Sequence, residues 1–279
     1  MELVINLSND EVRVYGGLQS DCCLRYSGAV LAGPHKRCLM IDPMRRSTII
    51  GVHFKPGGAF PFLNATAKEL ADIHVDLDNL WGPTAVELRE RLCAATTVGK
   101  RFSLLEAALA SRLQYSPRHH GAVSIALATF ERTGGKARVH DVARRVGLSQ
   151  RRFIQVFAAE VGLTPKLYCR VRRFQKARNV VRNLETPDWV RIAIDCGYSD
   201  QSHLIRDFQV LSGLSPMNYL RESSGSSGQV LPNHTHTPNR SIFSNTGAVA
   251  PLYDPDDSKL IPLTRVHVPT KHEVGKRRP

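Results

Sequence analysis

The second half of the chain contains one helix-turn-helix pattern twice. Val139 to Phe157 reads VHDVARRVGLSQRRFIQVF, and Trp189 to Phe208 reads WVRIAIDCGYSDQSHLIRDF. Val139, Val142, Ala143, Val146 and Gly147 stand 50 positions before Trp189, Ile192, Ala193, Cys196 and Gly197. One extra residue enters the second turn, and from Ser149 onward the offset is 51. Phe153 then matches Leu204, Phe157 matches Phe208, Gly162 matches Gly213, Pro165 matches Pro216 and Tyr168 matches Tyr219. Self-similarity of this size marks one supersecondary unit used twice.

Each copy is readable in physical terms. Val139, Val142, Ala143 and Val146 recur at the spacing of an apolar helical stripe. Ala143 and Ala193 are small where two helices must approach closely. Gly147 and Gly197 end that helix, where a left-handed residue costs least without a Cβ. Ser149 and Asp200 are good N-caps for the helix that follows. That second helix buries Phe153 and Phe157, or Leu204 and Phe208, one turn apart. Its other face carries Gln150, Arg151, Arg152 and Gln155, or Gln201, Ser202, His203 and Arg206. Such hydrogen-bonding side chains can read base edges in a major groove. A single copy also suits a plain helical hairpin with a solvated face, but two copies in register argue against that.

The segments GLTPKLY (Gly162 to Tyr168) and GLSPMNY (Gly213 to Tyr219) close the copies. With GYSDQSHLIRDF (Gly197 to Phe208), they make residues 137 to 221 resemble the AraC-type transcriptional regulators. The resemblance implies two helix-turn-helix motifs joined by a linker helix, here Leu167 to Leu184. It implies recognition helices starting after Ser149 and after Asp200. Ile154 and Ile205 depart from it, since some members carry polar readers there.

The front of the chain resembles the N-terminal domain of a subset of these regulators. The resemblance rests on GPHKRCLMIDP (Gly33 to Pro43), IIGVHFKPGGAFPF (Ile49 to Phe62) and VDLDNLWG (Val75 to Gly82). It implies a domain that senses a small-molecule effector, dimerises, or both. Members of that subset carry a further segment before the strand matching Glu2 to Leu7. The expectation is therefore a domain truncated at its start or with its first strands replaced.

Charge supports a polyanion partner. Residues 116–222 hold 18 Lys and Arg against 9 Asp and Glu, whereas residues 1–115 hold 13 against 12. Positive charge gathered on the repeat region is the footprint of a nucleic acid. Charge alone would also suit RNA or an anionic membrane. Duplex DNA is the better partner, because the A-form major groove is too narrow for a helix. No run of about 18 apolar residues predicts a membrane span, and no secretory leader opens the chain.

The expected fold is α+β. A β-rich domain over 1–115 draws on short β-branched runs at Leu3–Leu7, Val12–Tyr15, Ala29–Ala32, Cys38–Ile41 and Thr48–Phe54, as an antiparallel sheet or partial barrel. Charged or amphipathic helices follow from Pro83, from Gly99 to Gln114 and from Gly121 to Arg132. The segment Tyr115 to His120 is the expected joint. The double helix-turn-helix module spans 116–222. After it, SSGSSG (Ser223 to Gly228) has linker composition, and 223–279 is expected to be a disordered tail ending in Lys276, Arg277 and Arg278.

Other chemistry has little support. His35, His53 and His74 are far apart in sequence, and His234 with His236 lies in the tail, so no metal site is expected. His119 and His120 read as surface polar residues, and Arg45 with Arg46 as a solvent-facing turn. Cys22, Cys23, Cys38, Cys93, Cys169 and Cys196 form no C-x-x-C pair and fit reduced thiols of a cytoplasmic protein. No catalytic arrangement and no cofactor are expected. Two rivals remain open. A DNA-repair or alkyl-transfer protein can carry the same DNA-binding module, but needs an activated cysteine. An architectural protein would bind DNA without sequence choice.

Overall fold

The computed structural model describes residues 1–15, 23–35, 40–41, 48–113, 119–181, 184 and 186–224. The expected tail from residue 225 on, Cys22, Cys38, Arg45, Arg46, His234 and His236 lie outside them. The architecture is α+β, with strands first and helices after. The strands are β1 (Glu2–Asn6), β2 (Glu11–Tyr15), β3 (Cys23–Ser27), β4 (Ala29–Ala32), β5 (Met40–Ile41), β6 (Ile49–His53) and β7 (His74–Asp76).

They form two antiparallel sheets, ordered β6-β1-β4-β7 and β3-β2-β5. Alternation along β1 decides what each face of the first sheet does. Leu3 pairs with Leu31 and Val52, and Ile5 with Ala29 and Ile50. These side chains share one face and are buried in the main core of the domain. Val4 and Val30 pair on the opposite face, and that face packs on Val12, Val14 and Tyr26 of the second sheet. All four residues of β4 are buried because both of its faces are covered. Each fully buried Leu or Ile contributes about 1.5–3 kcal/mol here.

Two strands were not anticipated. β3 exposes Leu24 at 53% and places Arg25 beside it, so no alternation marks it. β7 has three residues, all half-buried.

Against the inner face lie α1 (Leu77–Trp81), α2 (Pro83–Ala94) and α3 (Val98–Leu113). Leu77, Leu80, Leu88, Leu92, Leu105 and Leu109 close the core. Trp81 fixes the corner: its Nε1 donates to the Phe62 carbonyl at 2.9 Å, and the Arg112 guanidinium lies 4.1 Å over its ring.

The helical half comprises α4 (Gly121–Arg132), α5 (Val139–Arg145), α6 (Gln150–Val161), α7 (Pro165–Val181), α8 (Trp189–Cys196), α9 (Gln201–Ser212) and α10 (Pro216–Ser224). It has two cores, one per repeat. Phe130, Phe153, Phe157 and Tyr168 centre the first, and Phe174, Leu204 and Phe208 the second. α4 belongs to the first by packing. α7 starts two residues before the expected linker helix, with Pro165 in the first turn where its missing N–H is not needed.

Candidate nucleic-acid interface

α6 and α9 are built alike. Ser149 is extended, and its Oγ accepts from the Arg152 N–H at 3.3 Å. Asp200 is extended, and its Oδ1 accepts from the His203 N–H at 2.7 Å. That backbone donor and the Ser199 hydroxyl hold the exposed Asp200 carboxyl below its ordinary pKa. Phe153, Phe157, Leu204 and Phe208 are fully buried. With those faces inward, the opposite faces must point out.

The sequence-predicted readers follow that division. Gln150, Arg151, Arg152, Gln155, Ser202 and Arg206 are exposed, while Gln201 and His203 are half-buried. The His203 ring stands edge-on to Tyr198 at 5.1 Å, with Nδ1 3.2 Å from the Ser199 hydroxyl. Ile154 and Ile205 are half-buried at the flank of each face. Arg151, Arg152 and Arg206 enter no ion pair among the described residues. Their guanidinium groups therefore keep the planar donor fork that suits base edges and phosphates.

α7 carries a finding that composition hides. Five of its six cations, Lys166 excepted, are half-buried, buried or drawn onto neighbouring groups of the protein. Arg170 Nε donates to Asp207 Oδ1 at 2.6 Å, with the Asp207 side chain 2% exposed. Arg172 pairs with Glu131 of α4 at 3.1 Å. Arg173 donates to the Gly135 carbonyl at 3.3 Å and lies 5.7 Å over the Tyr198 ring. Lys176 Nζ donates to the Asp195 carbonyl near the end of α8 at 2.8 Å, and Arg178 is 2% exposed. Four of the positive charges counted toward a polyanion face, Arg170, Arg172, Arg173 and Lys176, thus tie α7 to its neighbours. Nothing in the sequence marked Asp207 as the partner of Arg170. Tyr198 Oη and Asp207 Oδ2 are buried, and burial, then the Asp207 charge, pushes the Tyr198 phenol well above its ordinary range.

Comparison with known proteins agrees with this geometry. A family model described as a helix-turn-helix domain matches residues 142–222. The chain therefore carries a helix-turn-helix domain over those residues. A second model, described as a domain of unknown function (DUF6597), matches residues 1–76. The HTH-type transcriptional regulator Rv1931c of Mycobacterium tuberculosis is 37% identical over 89 residues, 32% of this chain and 34% of that protein. The protein named "Probable transcriptional regulator LumQ" of Photobacterium leiognathi is 30% identical over 84 residues, 30% of this chain and 34% of that protein. The chain thus spans about a third of the length of the curated relatives it matches. Among solved structures, an AraC-type transcriptional regulator from Chromobacterium violaceum is 21% identical, with a TM-score of 0.34 over 37% of this chain and 93% of that one.

Outside the helix-turn-helix domain, two expectations need correction. His35 and His74, distant in sequence, stack at 4.6 Å, and His53 Nδ1 lies 3.0 Å from Glu2 Oε1. Antiparallel pairing of β4 with β7 brings residues near 32 and 74 together, which sequence distance conceals. No group of three or more His, Cys, Asp or Glu among the described residues is placed to hold a metal. His119 is not a plain surface residue either: its Nδ1 lies 2.9 Å from Glu160 Oε2, and both side chains are largely buried. His120 caps α4, its ring accepting from the Ala122 N–H. No described helix is long and apolar enough to cross a membrane.

Proposed function

We propose that this protein binds double-stranded DNA sequence-specifically and regulates transcription, with α6 and α9 as its two recognition helices. One observation carries the reading: the two helices repeat an N-cap, a buried apolar pair and an outward or half-outward face of hydrogen-bonding side chains. Gln150, Arg151, Arg152, Gln155, Gln201, Ser202, His203 and Arg206 are the contact residues, divided between base edges and phosphates. Residues 116–222 form the binding module, and residues 1–115 form a regulatory domain that takes a small-molecule effector, dimerises, or both. The protein acts in the cytoplasm on DNA and is not an enzyme.

The alkyl-transfer alternative needs an activated cysteine, which the DNA module itself does not supply. Cys169 and Cys196 are buried there. Burial pushes the Cys169 thiol up to about 11 and raises that of Cys196. Thiols held protonated are poor nucleophiles, so these two cysteines suit packing instead.

The test is selection of bound duplexes from a random pool, followed by alanine substitution of each contact residue in the full chain. A base reader cut to alanine should cost about 1–3 kcal/mol and relax one position. A phosphate contact should weaken all sequences alike and flatten the salt dependence. Recovery of no consensus from the pool, or unchanged specificity with all eight residues replaced, overturns the proposal.

A further inference from the structure

The two repeats are alike at the start of their recognition helices and unlike at the end. The last carbonyls of a helix lack partners within it. At the end of α6, the Ala159 carbonyl accepts from the Ala67 N–H at 2.7 Å, and Ala67 is fully buried. Glu160, 4% exposed, accepts from the His120 N–H at 2.8 Å beside its His119 contact. The Phe60 ring lies 5.8 Å from that of His119. Gly162 caps the helix at φ 81°; a Cβ there would run into the Pro34 ring and lie 2.8 Å from the Ala67 carbonyl oxygen. A Cβ on Gly57 would lie within 3.5–3.9 Å of Leu127, His119 and Val161.

Pro34, Gly57, Phe60 and Ala67 all belong to the β-rich half. At the matching end of α9, the position equivalent to Ala159 is Val210, exposed at 47%. Gly213 caps α9 at φ 78°, and a Cβ there would meet no described atom within 4 Å.

We infer that the N-terminal domain positions the first recognition helix, gripping its C-terminal turn through Ala67, Phe60 and Pro34 while leaving the second helix ungripped. This gives the domain of unknown function a role in DNA readout, and it rests on the reading of α6 as a recognition helix. A change in the N-terminal domain then alters the aim of α6 relative to α9. α9 is instead tied to α7, through Arg170 and Asp207.

The repeat supplies its own control. Gly162→Ala and Gly213→Ala carry the same left-handed backbone strain, but only the first collides with the N-terminal domain. Both are made in the full chain. Hydrogen exchange at the Ala67 amide reads the grip without DNA, and affinity for the selected duplex reads the positioning. Gly162→Ala should speed Ala67 exchange at least about tenfold and change duplex affinity by about tenfold relative to Gly213→Ala, within the range of interdomain couplings. Phe60→Ala leaves the glycine intact and should move both readouts the same way by less, so the inference stays testable if Gly162→Ala does not fold.

Equal Ala67 exchange in the two glycine variants overturns the grip. Faster exchange with unchanged affinity overturns its role in positioning. A wild type without sequence preference overturns the function proposed above instead, and is told apart because Ala67 exchange still separates the two variants.

Discussion

At the scale of single residues, the clearest consequence of packing is at His74. Burial, and then the neighbouring His35, push its pKa down to about 4. An unfolded histidine titrates near about 6.5. Between those values the unfolded chain holds a proton that the folded chain does not. Stability therefore rises with pH across that window, is fully present above it, and is lost as pH falls toward 4. His35 is shifted in the same direction, by burial first, so the pair acts together. The expected outcome is a melting temperature that falls between pH 6.5 and 4.5 in the wild type, with a shallower fall in His74→Gln. Calorimetry at several pH values checks this. Equal slopes in the two proteins would place the acid sensitivity elsewhere.

At the scale of elements, α7 decides the geometry between the repeats. Asp207 sits on the inward side of α9 at 2% side-chain exposure, and Arg170 is its charge partner. Removing one member of a buried pair leaves an uncompensated charge and costs about 3–5 kcal/mol, while replacing both with apolar side chains of similar size is often near neutral. Arg170→Ala should therefore destabilise the protein strongly. Arg170→Met combined with Asp207→Leu should recover most of that loss in urea unfolding. A double variant as unstable as the single one would contradict the pairing.

The same helix shows what was legible in the sequence. Its existence and rough span follow from the repeat and from Pro165, because cap, glycine and apolar period are local signals. The direction of its cations is not local, and a charge count has no direction. β3 and β7 escaped for a related reason. Leu24 is exposed on an edge strand, and β7 is held by pairing with β4 rather than by any pattern of its own. The outward faces of α6 and α9 were legible because their opposite faces carry buried apolar pairs at helical spacing. His203 is only half free of the protein, since Tyr198 comes from a turn whose extra residue breaks the repeat.

At the scale of the whole molecule, the two helices proposed to read DNA, α6 and α9, both pack against one continuous helix, α7. Arg172 and Arg173 tie α7 to the first repeat, and Arg170 and Lys176 tie it to the second. A splint fixed at both ends permits little variation in spacing. Two recognition helices on one face of B-form DNA meet successive major grooves about one turn apart, roughly 34 Å or about 10 base pairs. A single chain should then protect two patches at that separation in a hydroxyl-radical footprint. Five base pairs inserted between the patches should rotate the second to the far side of the duplex. The contacts of α9 are then lost, at about 1–3 kcal/mol for each base reader. Ten inserted base pairs restore the rotation but not the distance, so a rigid α7 predicts that affinity stays low. Recovery at ten would mean that the ties along α7 give way on DNA, and that the repeats read their grooves as independently tethered units.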